Sequence, residues 1–140
     1  MILADTNVIS ALRRMDRAEP GLRRWAESTP DTELYLSVVT AMELETGVLR
    51  MERRDPPQGA RLRRWLREQV LEPFADRLLD FDLGAAMHCA RLHVPDPRPE
   101  RDAMIAATAL RHGLPVATRN IADFAAMGIE LINPWETIGT

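Results

Sequence analysis

Short apolar runs, each stopped by polar or turn-forming residues, alternate along this chain with stretches of helical period. The runs fall at residues 2–4, 34–38, 77–81, 115–118 and 129–132, the third of them only weakly alternating. Strands separated by helices at such close spacing leave few architectures open. They pair in parallel, and a parallel sheet needs helices on both faces. The expectation is one domain over residues 1–140: an α/β fold, built as a three-layer α/β/α sandwich around a central, mostly parallel, twisted sheet of four to five strands.

The helical stretches have legible faces and stops. Val8, Ile9, Leu12 and Met15 recur at helical spacing after the first run, with Thr6 or Asn7 able to cap. Residues 22–27 form a short helix between Pro20-Gly21 and Ser28-Thr29-Pro30-Asp31. Thr40 opens a long helix to about Arg54, with Thr40, Leu44, Gly47, Val48 and Met51 on one face. Asp55-Pro56-Pro57 ends it. Residues 58–70 follow, with Leu62, Trp65, Leu66 and Gln69 inward and Arg61, Arg64, Arg67 and Glu68 outward, and Pro73 terminates that segment. Residues 83–92 are expected to turn Leu83, Ala86, Met87 and Ala90 inward. Pro95, Pro97 and Pro99 hold residues 94–99 extended. Residues 100–112 are Ala-rich and helical, closed by Gly113. A last short helix spans 121–126 and stops at Gly128. Met42, Met51, Met87, Met104 and Met127 read as core filling.

What the chain lacks narrows its chemistry. All 18 basic residues are Arg and none is Lys. Walker-type nucleotide binding and receiver-type phosphotransfer both need a Lys. No Gly-x-Gly-x-x-Gly follows a strand, and no nucleophile elbow is present. A phosphatase with an aspartyl nucleophile needs a second acid at position 7, where Asn7 stands. Cys89 is the one cysteine, so no internal disulfide forms, and it reads as a small core residue in a reducing cytosol. No apolar run approaches the roughly 20 residues of a membrane span, and no secretory leader is evident, so a cytoplasmic protein is expected.

Four acids are placed to converge. In a parallel sheet the carboxyl ends of the strands share one edge, where ligands bind. Asp5 ends the first strand. Glu43 is expected in the first turn of the helix after the second, and Asp102 in the first turn of the Ala-rich helix. Asp123 follows the strand that ends at Thr118. Each alone is more often a cap or a partner of the helix dipole. Glu45 competes with Glu43, and Glu100 and Asp96 compete with Asp102. Asp102 is preferred because Ala103, Ala106, Ala107 and Leu110 follow it at packing spacing. Carboxylates gathered in one place repel unless a cation cancels their charge. Oxygen-only donors favour Mg²⁺ or Mn²⁺ over Zn²⁺ and suit phosphodiester hydrolysis.

Four segments of the chain are similar to the motif blocks of PIN-domain proteins. They are Asp5-Thr6-Asn7-Val8-Ile9, residues 37–44 around Glu43, residues 102–110 from Asp102, and Thr118-Arg119-Asn120-Ile121-Ala122-Asp123-Phe124. Their order, spacing and total length resemble the VapC toxins of bacterial VapBC toxin–antitoxin pairs, as does the closing Asn133-Pro134-Trp135. The resemblance covers nearly the whole chain. It implies a Mg²⁺-dependent endoribonuclease, with Mn²⁺ as a substitute, that leaves 5′-phosphate and 3′-hydroxyl ends. It also implies a homodimer held inactive by a cognate VapB-type antitoxin. Metal-ligand roles fall on Asp5, Glu43 and Asp102, and Asp123 is the fourth acid, acting through water. Thr6, Asn7, Thr118 and Asn120 match the polar positions that support them. One departure is the short, proline-rich segment before Asp102, where many relatives have a longer helix and loop. The rival reading is a non-catalytic PIN-like module that binds RNA or assembles with partners.

The remaining features are less specific. Residues 50–68 carry seven Arg against three acids. They read either as a solvated face laced with ion pairs, the preferred reading, or as an RNA-steering patch. Trp25 and Trp65 suit a core or a partner surface equally. His88, His93 and His112 lack the pairing of metal ligands.

Overall fold

The first apolar run forms β1 (Ile2–Ala4), and it becomes the middle of the sheet. In the computed structural model, which describes residues 1–136, β2 (Leu34–Ser37) lies on one side of β1 and β4 (Val116–Ala117) on the other. Outside them lie β3 (Leu78–Leu79) and β5 (Leu131–Ile132), giving the order β3-β2-β1-β4-β5 with every pairing parallel. The register sets Leu3 against Val116 and Ala4 against Ala117.

Successive side chains leave a strand on opposite faces, and both faces here are buried. Ala4, Leu34, Leu36 and Ala117 join one apolar cluster, while Leu3 and Val116 join the other. The first cluster is covered by α1 (Thr6–Leu12), α2 (Pro20–Ser28), most of α3 (Val38–Arg54) and α4 (Pro56–Trp65), which continues as a π-helical turn through Leu71. The second is covered by α5 (Leu83–Leu92), α6 (Glu100–His112) and α7 (Ile121–Phe124). The expected three layers are therefore present. Leu3, Leu36, Ile105 and Phe124 are fully buried, each worth about 1.5–3 kcal/mol of transfer free energy. Trp25 is also a core residue, at 5% exposure. No helix among the described residues is long and apolar enough to cross a membrane.

Several helices begin or face differently from the sequence expectation. Ser37 caps α3 by accepting the Val39 N–H at 2.9 Å, so the helix starts at Val38 rather than Thr40. Asp55-Pro56-Pro57 does end α3, but the prolines themselves occupy the opening positions of α4, where a missing N–H costs nothing. Gln69 is exposed, and Leu66 and Val70 take the inward positions.

The largest difference is α5. Leu83 is 72% exposed and Met87 50%, with Ala85 and Cys89 buried in their place. α5 packs along α6, and the side chains it buries are the small Ala85 and Cys89, not the larger Leu83 and Met87. Met42 is likewise outside the core, whereas Met127 is within it. The proline segment forms a tight link between α5 and α6. Its start is closed by the Arg98 N–H donating to His93 Nδ1 at 3.1 Å, and its Val94–Pro95 bond is cis. Residues 137–140 of the expected tail lie outside the described residues.

Candidate active site

The sheet order places a reversal at its centre. From β1 the chain steps outward to β2 and β3, then returns to the far side of β1 for β4 and β5. The helices that leave β1 and β4 pack on opposite faces. The carboxyl ends of these two neighbours thus border a crevice of the kind that binds ligands in open α/β sheets.

Asp5 stands at that crevice and is 3% exposed. Its N–H still belongs to the sheet, donating to Ala117 O at 2.9 Å. Its side chain already belongs to the helix: Oδ1 accepts the Thr6 N–H at 2.8 Å. The other oxygen, Oδ2, accepts the Thr118 hydroxyl at 2.7 Å and Asn7 Nδ2 at 3.1 Å. Burial raises the pKa of this carboxyl, the bonds from Thr118 and Thr6 oppose the rise, and the nearby charge of Glu43 adds to it.

Thr118 is fully buried, and its hydroxyl oxygen also accepts Asn7 Nδ2 at 3.2 Å and the Asn120 N–H at 3.0 Å. Asn7 Oδ1 accepts the Arg119 N–H at 3.2 Å. One polar network therefore ties the β1–α1 turn to the β4–α7 turn. Thr6, Asn7, Thr118 and Asn120 all lie in or against the site, and Asn120 joins through its backbone N–H.

Because α3 begins at Val38, Glu43 occupies its second turn and not the first. The difference matters little, since residues one turn apart share a helix face. Glu43 Oε1 accepts the Thr6 hydroxyl at 2.7 Å, whose oxygen is also 3.1 Å from that of buried Thr40. Oε2 lies 3.6 Å from Arg101 Nη1. Glu45 is engaged elsewhere, in an ion pair with Arg63 at 2.5 Å, and Arg63 also holds Glu52 at 3.1 Å. Arg61 donates to Gln58, and Arg67 pairs with Glu68. These arginines of the 50–68 stretch tie helical surface together.

Asp102 lies in the first turn of α6 as expected, carried by the buried alanines that follow. Its carboxyl is pushed up to about 6, first by burial, then by the charges of Asp5, Asp123 and Glu43. A cleft of about 430 Å³ is lined by Asp5, Thr6, Asn7, Ser10, Glu43, Asp102 and Asn120. Asp123 is exposed and outside that lining, and it acts on the site through its field at Asp102. Glu100 turns instead to a separate hollow beside Cys89 and His93, and Asp96 is exposed on the proline loop.

Two residues escaped the sequence reading. Ser10 lines the cleft one turn beyond Thr6 on α1, a spacing that does signal a shared face. Arg101 meets Glu43 across two helices that are distant in sequence, which no local pattern announces.

The donors facing the cleft are hard oxygens, with no imidazole or thiolate among the lining residues, a set suited to a divalent cation such as Mg²⁺ or Mn²⁺. Among the described residues no three His, Cys, Asp or Glu side chains stand as a closed metal-holding group.

The family pattern described as PIN domain matches residues 2–129. The chain is 39% identical over 146 residues to the VapC ribonuclease Y4jK of Sinorhizobium fredii, covering 97% of this chain and 99% of that one. It is 35% identical over 140 residues to toxin FitB of Neisseria gonorrhoeae, covering 96% and 99%. Its fold is similar to the crystal structure of FitAcB from Neisseria gonorrhoeae, with a TM-score of 0.88 and 34% identity over 98% of this chain and 100% of that one.

Proposed function

The chain belongs to the PIN-domain family, and on that footing we propose that it is the toxin of a type II toxin–antitoxin pair, a metal-dependent endoribonuclease acting in the cytoplasm. The observation that carries the reading is the convergence of Asp5, Glu43 and Asp102 on one cleft at the sheet's central reversal. The relatives named as a VapC ribonuclease and as a toxin support it. By the same resemblance its partners are a VapB-type antitoxin and a second copy of itself.

Asp5, Glu43 and Asp102 would hold Mg²⁺, or Mn²⁺ in its place, and Asp123 would orient water from the cleft's margin. When bound, such a cation supplies the Lewis acidity that makes water a stronger nucleophile and offsets charge on the phosphate. The protein's own part is positioning. Thr118 and Asn7 fix the Asp5 carboxylate through Oδ2, and Thr6 fixes Glu43 through Oε1, leaving Oε2 in its looser pair with Arg101. Water attacks phosphorus in line and the P–O3′ bond breaks, so the electron pair leaves with the 3′ oxygen. The products carry a 5′-phosphate and a 3′-hydroxyl.

The end chemistry tests this reading. Fragments made from total RNA with Mg²⁺ are expected to ligate through their 5′ ends without prior phosphorylation. Fragments bearing 5′-hydroxyl ends would overturn the hydrolytic mechanism, and RNA left intact would favour the non-catalytic module.

A further inference from the structure

Arg101 precedes Asp102 in the first turn of α6, and its guanidinium reaches Glu43, one of the carboxylates that line the cleft. Its Nη1 lies 3.6 Å from Glu43 Oε2, with the Arg101 side chain 52% exposed and that of Glu43 25%. The two oxygens of Glu43 are thus unlike. Oε1 is tied to the Thr6 hydroxyl at 2.7 Å, while Oε2 faces a loosely held guanidinium. A pair of this length and exposure is weak and screened by solvent, so it exchanges readily.

The other arginines near the cleft are held differently. Arg119, next to Thr118, pairs with Glu19 at 3.0 Å and lies over the Trp135 ring at 5.0 Å. Arg13, in the adjoining groove, lies over Trp65 at 5.8 Å. Arg101 is set apart because its partner is a carboxylate of the cleft itself.

An acid cleft repels the phosphate backbone of RNA, so a substrate needs a cationic contact at the entrance. A guanidinium presents paired N–H donors that match phosphate oxygens. Resting on the ribonuclease reading, we propose that Arg101 is a phosphate-binding residue with two successive partners: it neutralises Glu43 Oε2 in the resting cleft, and it takes a non-bridging oxygen of the RNA phosphate when Glu43 serves as a cation ligand. The exchange breaks no covalent bond and moves no proton.

The test compares Arg101→Ala and Arg101→Lys with the parent protein in two binding measurements and one activity measurement. The RNA probe is a labelled pool of mixed-sequence single-stranded oligoribonucleotides, bound with millimolar Mn²⁺ present to engage Glu43, and to protein that also carries Asp5→Asn so that nothing is cut. Arg101→Ala is expected to weaken binding about 3- to 10-fold and to flatten the dependence of log affinity on log salt by about 0.7, the loss of one phosphate contact. Arg101→Lys keeps that slope.

Without Asp5→Asn, Mn²⁺ titrated into Arg101→Ala is expected to bind several-fold tighter than to the parent, because a competing cation has gone. An unchanged salt slope and RNA affinity in Arg101→Ala overturns the proposal, as does the absence of measurable RNA binding by the Asp5→Asn protein. Cleavage of total RNA by the parent with Mg²⁺ is scored separately. Failure there removes the ribonuclease reading, while the two binding measurements still decide on Arg101.

Discussion

Thr118 donates its hydroxyl to Asp5 Oδ2 at 2.7 Å across 113 positions of sequence. Both residues are buried, each just past the end of one of the two neighbouring strands at the sheet's central reversal. The bond therefore serves fold and site together.

Replacing Thr118 by Val keeps the shape and removes the hydroxyl. Asp5 Oδ2 then keeps Asn7 as its side-chain donor, and the Asn120 N–H loses its acceptor. A hydrogen bond to a charged group contributes about 1.5–3 kcal/mol. Urea unfolding of Thr118→Val is expected to show a loss of that size, and a midpoint equal to wild type would remove Thr118 from this role.

The Asp5–Thr118 pair also shows what sequence alone conveys. Both residues follow short apolar runs, and the strand-end rule for parallel sheets brings them to one edge before any distance is known. The layers were legible for the same reason, since alternation of strand and helix admits few alternatives. The face of α5 was not legible. Ranking residues by apolarity turns Leu83 and Met87 inward, but the packing of α5 along α6 buries Ala85 and Cys89. The choice between Glu43 and Glu45 also needed tertiary structure, because Arg63 on α4 withdraws Glu45 into an ion pair. Arg101 was missed because its significance lies in a contact between α6 and α3.

Asp102 binds its proton more tightly in the fold, with a pKa of about 6, than at its ordinary value of 3.8. Its contribution to stability is full below about pH 4 and is lost as pH rises through 6. In EDTA at pH 7.5, Asp102→Asn is therefore expected to be more stable than wild type. Solvent screening of the partly exposed cleft limits the gain to the order of 1 kcal/mol. Near pH 4 the two proteins should converge. A variant less stable than wild type at pH 7.5 would contradict the crowding of charge around Asp102.

Gly59 of α4 faces α3 so closely that a Cβ there would meet Glu52 Cα at 2.5 Å and the Glu52 N and Cγ at 2.7 Å. Helix propensity alone favours Gly→Ala by about 1 kcal/mol. The clash is with backbone, so overpacking should prevail, and Gly59→Ala is expected to destabilise by about 1–3 kcal/mol. Thermal unfolding decides the sign, and a stabilised variant would show that α3 and α4 move apart freely.

Cation binding to the folded cleft should appear as stability. At a Mn²⁺ concentration 100 times its dissociation constant, linkage raises the unfolding free energy by about 2.7 kcal/mol. Glu43→Gln is expected to lose most of that gain at the same concentration. Equal gains in both proteins would place the cation elsewhere.

The most direct measurement is the rate of total RNA cleavage by wild type and by Asp5→Asn, each with Mg²⁺ and with EDTA. Asp5 accepts the Thr6 N–H on Oδ1 and the Thr118 hydroxyl and Asn7 amide on Oδ2, and Asp5→Asn would keep one acceptor oxygen while losing the charge and the second. The predicted result is cleavage by wild type with Mg²⁺, abolished by EDTA, and a loss of at least about 100-fold in a folded Asp5→Asn protein, the scale on which single catalytic groups act. Full activity in Asp5→Asn, or cleavage by wild type that EDTA leaves untouched, would contradict the account.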